Sequence, residues 1–132
     1  MEMCGQSTDA AAAATAWLCY FDAANKINFF ISNGSAYSST ISAATITDSI
    51  WHHLAIVRHG NSIQIYLDGT ATGSALSFTV AANDSAGGLK VAAYRDSSTT
   101  TFIGYIDEFR FSVGIARWTA NFTPPTSAYG PN

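Results

Sequence analysis

Between Trp51 and Gly69 the chain alternates in steps of two, and two turn-forming pairs interrupt the alternation. Residues His52 to His59 and Ser62 to Leu67 read as strands, Gly60-Asn61 separates them, and Asp68-Gly69 follows. Glycine, asparagine and aspartate tolerate the positive φ of a tight hairpin, so this stretch reads as antiparallel β-structure. Alternation places Trp51, His53, Ala55 and Val57 on one face and His52, Leu54, Ile56 and Arg58 on the other. Apolar side chains on both faces predict a strand inside a layered sandwich, central in its sheet.

The same period recurs along the rest of the 132 residues. Further strands are predicted over Ala16 to Phe21, Ile27 to Ser32, Leu76 to Val80, Leu89 to Ala93 and Thr101 to Ser112. The alanines from Ala10 to Ala14 are too few to hold a helix, and are read as a loop or single turn. One helical turn is predicted at Ala116 to Trp118, before the prolines of a C-terminal tail, residues 122–132. With no repeat and no linker, the chain is one domain of an all-β, antiparallel β-sandwich class.

Composition narrows the partners. Charged residues are only 11 % of the chain, the net charge is −3, and the six basic residues stand singly. That pattern argues against nucleic acid and against anionic membranes. No apolar run suits a membrane helix, and the first residues lack the form of a signal peptide. Cys4 and Cys19 can face one another across a hairpin, or lie as two buried free thiols.

Catalytic chemistry finds little support. Neighbours on a strand diverge, so His52 and His53 cannot grip one metal, and Asp107 and Glu108 cannot form the carboxylate pair of a glycosidase. No nucleophile elbow surrounds any serine, and the expectation is a protein without catalytic activity. Asp107 shares a predicted face with Tyr105, Phe109 and Phe111, where it needs hydrogen-bond partners; the alternative role is a calcium ligand. No other cofactor is implied. Glu108 and Arg110 are expected to pair on the opposite face. His53 is read as a core histidine, and Trp51 and Phe109 as core aromatics. Recognition is left to the loops, where Asn33, Tyr37, Tyr94, Arg95 and Asp96 are the candidate ligand-binding residues. Trp118 and Phe122 are expected to pin the tail.

Five segments in a fixed order carry a resemblance: Trp51-His52-His53-Leu54-Ala55-Ile56-Val57-Arg58, Ile65-Tyr66-Leu67-Asp68-Gly69, Phe102 to Phe111, Gly114-Ile115-Ala116-Arg117-Trp118, and Asn121-Phe122-Thr123-Pro124-Pro125. Together they resemble the laminin G-like/concanavalin A-like modules of phage tail and other virion proteins. The resemblance implies a jelly-roll sandwich that acts as a carbohydrate-binding or adhesion module on a virion surface or tail, or as a purely structural decoration or assembly module, with a glycoside hydrolase remnant as the third alternative. Structural roles follow for Trp51, His53, Asp68, Gly69, Gly104, Asp107, Phe109 and Trp118, with Gly104 admitting close backbone approach. Such modules normally begin with further residues that supply their first strands, and those are missing here, so the chain is expected to be a fragment of a longer polypeptide or to receive the missing strands from another chain. The resemblance therefore also implies a homo-oligomer or strand-complemented assembly, with a glycan or a virion structural partner.

Overall fold

The computed structural model describes residues 1–8, 11–93 and 102–130, except for the side chains of Ile41 and Ala43. Among these residues eight strands form: β1 (Glu2–Ser7), β2 (Thr15–Phe21), β3 (Lys26–Ser32), β4 (Tyr37–Thr45), β5 (Leu54–His59), β6 (Ser62–Leu67), β7 (Thr70–Ser77) and β8 (Leu89–Val91). They build one sheet in the order β4-β3-β2-β1-β8 and a second in the order β5-β6-β7, all antiparallel. One short 3-10 turn, Ala12–Ala14, takes up the alanine run.

The turn chemistry sets the register of the small sheet. Gly60 takes φ 59°, Asp68 φ 49° and Gly69 φ 77°, the left-handed conformations that tight reversals require. His59 consequently pairs with Ser62 and Leu54 with Leu67. Period two then turns Ile63 and Ile65 inward, where they meet Cys19, Ile27, Phe29 and Ile31 of the larger sheet, with Phe78 beside them. Ile65, Ile27 and Cys19 are wholly buried. These side chains are the interior of a two-layer sandwich.

Two strands escape the sequence reading. β4 is rich in serine, threonine and alanine, and among its described side chains the buried ones are polar: Thr40 donates to the Ser74 carbonyl at 2.6 Å, and Ser42 Oγ accepts from Ile27 N at 3.0 Å while donating to the Ala44 carbonyl. Hydrogen bonding satisfies these hydroxyls inside, so burial here leaves no apolar stripe. β1 holds Gly5, Gln6 and Ser7, which are poor strand formers, yet it pairs with β2 on one side and β8 on the other.

Several expectations are corrected. Residues 102–112 form no strand, because Glu108 takes φ 51° and Asp107 Oδ1 accepts the Glu108 N–H at 2.8 Å, a local bond that diverts the chain from an extended path. Without that strand the faces assigned to Asp107, Phe109 and Phe111 do not exist, and Gly104 admits the Phe102 ring, 2.9 Å from where a Cβ would stand, rather than backbone. Trp51 is 67 % exposed and Phe109 43 %, so neither is a core aromatic. Among the described residues β5 lies at an edge of its sheet and not at its centre. β7 begins at Thr70, six residues before the predicted start, and Ala116 to Trp118 make no helical turn. Glu108 and Arg110 both engage Tyr129 instead of each other: Glu108 Oε2 accepts from Tyr129 N, and the Arg110 guanidinium lies 3.7 Å from the centre of the Tyr129 ring.

Candidate functional site

Register brings the chemistry together. Because Leu54 pairs with Leu67, the residues just beyond that pair, His53 and Asp68, meet at the end of the hairpin. Asp68 Oδ1 accepts the His53 N–H at 2.9 Å, and its Oδ2 lies 2.7 Å from His52 Nδ1. The other nitrogen of His52, Nε2, is 2.7 Å from Asp48 Oδ1. Only a protonated imidazole donates from both nitrogens, so two carboxylates hold His52 as a cation. Those bonds, Asp48's first and then Asp68's, raise the His52 pKa above its ordinary value of 6.5 against a small opposing effect of burial. For Asp68, burial pushes upward, but the bonds from His52 and the His53 N–H outweigh it and leave the carboxyl below its ordinary range.

His53 points elsewhere. Its ring meets the Trp118 and Phe122 rings edge-on, each at 5.5 Å, and its Nε2 is 3.3 Å from the Tyr129 hydroxyl. Nδ1 is buried without a hydrogen bond. Burial lowers this histidine's pKa, with only partial opposition from Asp68. Trp118 and Phe122 stack at 4.1 Å, Phe122 packs on Tyr66, and the Phe122 N–H donates to the Gly69 carbonyl at 2.9 Å. Asn121 Oδ1 accepts from Ala71 N at 2.9 Å, which fixes the tail against the turn between β6 and β7.

The two histidines make stability depend on pH in opposite directions. A raised folded-state pKa means that the His52 contribution to stability is full below pH 6.5 and is lost as pH rises through its folded value. A lowered one means that the His53 contribution is present above pH 6.5 and is lost as pH falls through its folded value. A proton NMR titration should therefore find one histidine above 6.5, returned toward 6.5 by Asp48→Asn, and another below it. Indistinguishable midpoints for His52 and His53 would contradict this arrangement.

Trp51, His52, His53, Asp68, Asp107, Glu108, Pro124 and Pro125 line an open cleft of about 370 Å³. At its rim the Trp51 and Tyr105 rings stand 6.5 Å apart, tilted by 47°. Trp51 is 67 % exposed and Tyr105 87 %. Two large aromatic faces are thus presented to solvent beside three carboxylates and a cationic imidazole. Among the described residues no group of three or more His, Cys, Asp and Glu side chains is placed to hold a metal ion.

The chain matches the model of the laminin G-type family described as the concanavalin A-like lectin/glucanases superfamily, over residues 4–114. The chain belongs to that superfamily. No curated protein matches, and no solved structure does. The concanavalin A-like match begins in β1, well before Trp51, and it ends before the segments at Ala116 to Pro125. Membership supports a carbohydrate-binding or adhesion-type module in general terms.

Of the loop candidates in this concanavalin A-like domain, Asn33 and Tyr37 are not among the residues that line the cleft. Asn33 Oδ1 accepts the Ser35 and Ala36 N–H groups at 2.9 and 2.8 Å, closing the turn between β3 and β4. Tyr37 at the start of β4 places its hydroxyl 3.0 Å from Thr15 Oγ1 and meets the Phe30 ring edge-on. Tyr94, Arg95 and Asp96 lie outside the described residues. Trp51, His53, Asp68 and Asp107 share the cleft, Gly69 and Trp118 secure the tail beside it, and Gly104 and Phe109 are not among its lining residues. Asp48 and Tyr105 were not legible as site residues. Asp48 lies in a loop where spacing carries no signal, and alternation places Tyr105 on a strand face that the chain does not form.

Proposed function

We propose that this domain is a non-enzymatic glycan-binding module, with its sugar site in the cleft beneath Trp51 and Tyr105. The exposed aromatic pair carries the reading. An apolar ring face stacks on the C–H surface of a pyranose, while neighbouring carboxylates accept its hydroxyl protons. Asp107, Glu108 and Asp68 are the acceptors within reach of a ring seated there, and the protonated His52 is held between Asp48 and Asp68. No cofactor is needed for such contacts, and any calcium dependence would show on adding a chelator. Trp51→Ala should weaken binding on a glycan array about tenfold, from the roughly 1.5 kcal/mol that an aromatic stack contributes. The same substitution should leave stability within about 0.5 kcal/mol of the parent, as for other exposed positions. Undiminished glycan binding by Trp51→Ala would remove the site from this cleft.

A virion surface or tail fits a module of this kind, and assembly there has its own support. Ile103, Val113 and Ile115 are 85 %, 84 % and 58 % exposed, and β5 pairs on one side only among the described residues. Exposed apolar side chains and an open strand edge each favour a second copy or a virion structural partner that adds a strand. Light scattering at micromolar concentration should find an oligomer; a stable monomer would count against assembly through this edge.

Asp107 and Glu108 both line the cleft, so strand divergence no longer separates them from a hydrolytic role. Each already accepts a backbone N–H bond, from Glu108 and Tyr129 respectively. The reading here is binding without turnover, and release of reducing ends from a bound polysaccharide would overturn it.

A further inference from the structure

Cys4 on β1 and Cys19 on β2 are direct cross-strand partners, and both are free thiols. Opposed residues of an antiparallel pair have Cα atoms about 4.5 or 5.5 Å apart. Both spacings fall inside the roughly 4.4–6.8 Å that a disulfide spans. The two thiols are close enough to shift one another's acidity. Cys19 is wholly buried in the core, while Cys4 is only half-buried at its margin, so an oxidant from solvent reaches Cys4 first.

We propose that Cys4 and Cys19 are a peroxide-oxidisable pair, Cys4 the residue attacked by the oxidant and Cys19 the residue that resolves it into a cross-strand disulfide. The hydrogen bond that Cys4 accepts from Cys19 lowers the Cys4 pKa despite burial and the nearby Glu2. Donating that bond, together with burial, pushes Cys19 well up. The asymmetry suits the two roles, since the thiolate is the reactive form. The Cys4 thiolate attacks one peroxide oxygen, breaks the O–O bond and releases hydroxide, leaving a sulfenic acid. The Cys19 sulfur then attacks the Cys4 sulfur, forming the S–S bond as the sulfenic oxygen leaves with the Cys19 proton. In sum two thiols and one hydrogen peroxide give one disulfide and two waters. The bond joins β1 to β2 in the interior of the five-stranded sheet, where β1 also carries β8.

The test is thiol titration of the denatured protein before and after dilute hydrogen peroxide, with mass spectrometry of the digest. Both thiols should vanish, the mass should fall by about 2 Da as two hydrogens leave, one peptide should join residue 4 to residue 19, and dithiothreitol should restore both thiols. The oxidised form should melt roughly 5–10 °C higher, the effect of closing this loop in the unfolded chain. Cys4→Ser should leave Cys19 reduced under the same dose. Persistence of both thiols, disulfide-linked dimers, oxygen addition without an internal bond, or oxidation of Cys19 in the Cys4→Ser protein would each overturn the proposal.

Discussion

Ile65→Ala should destabilise the domain by about 3–5 kcal/mol, toward the upper end for deletion of a large aliphatic side chain. The side chain is wholly buried on β6, the middle strand of its sheet, and belongs to the cluster in which the two sheets meet. Neither sheet can close the resulting void without moving toward the other, and the hydrogen bonds from Thr40 to Ser74 and from Ala44 to Thr72 already fix their separation. Against a total stability of roughly 5–15 kcal/mol, this is a large share. Thermal melting should show a midpoint about 10–15 °C lower. A shift as small as that of an exposed substitution would mean that the sheets do not pack on Ile65.

Gly69→Ala should be nearly as costly, through backbone rather than core. The residue has φ 77°, and a Cβ there would stand 1.9 Å from the Phe122 carbonyl oxygen and 2.9 Å from its carbon. The left-handed conformation alone costs a non-glycine residue about 1–2 kcal/mol. No rotamer relieves a clash with backbone, so the tail must leave the turn. It takes with it the bond from Phe122 N to the Gly69 carbonyl and the packing of Phe122 on Tyr66 and His53. A total near 3 kcal/mol is expected, adding to the conformational cost one lost hydrogen bond and one aromatic contact. The His53 midpoint should also rise toward 6.5 as its ring becomes solvated. Gly60→Ala is the control: its φ is 59°, nothing lies within 4 Å of the added Cβ, and only the conformational cost is expected. Equal losses at Gly60 and Gly69 would show that the tail does not seat on this turn.

The hairpin register was legible in the sequence because glycine and aspartate report backbone conformation directly. Gly60-Asn61 and Asp68-Gly69 fix which residues pair, and from that pairing Asp68 falls beside His53 without further information. The inward face of β4 was not legible, since Thr40 and Ser42 are buried through hydrogen bonds that only the folded chain supplies. At 102–112 the alternation misled. Period two says which faces an extended segment would have, but not that it is extended, and one Asp107–Glu108 bond with one left-handed residue redirects it. Trp51 escapes the alternation for a related reason: β5 starts only at Leu54, so the period of that strand does not govern the tryptophan's side. The cleft therefore joins residues with a sequence signal, His53 and Asp68, to residues brought in by irregular backbone, Trp51, Tyr105 and Glu108.

The chain has three tryptophans, and their indole N–H signals offer the most direct test of the binding site. Trp17 packs between Phe29 and Phe111, Trp118 stacks on Phe122, and Trp51 stands exposed at the rim of the cleft. The spectra would be recorded while a glycan that scores on the array is titrated into labelled protein, with each signal assigned by single Trp→Phe variants. The account predicts a saturable shift of the Trp51 indole together with the Tyr105 ring, and a Trp17 signal that stays in place. Saturable binding that moves Tyr37 and the Asn33 turn while Trp51 remains fixed would contradict it.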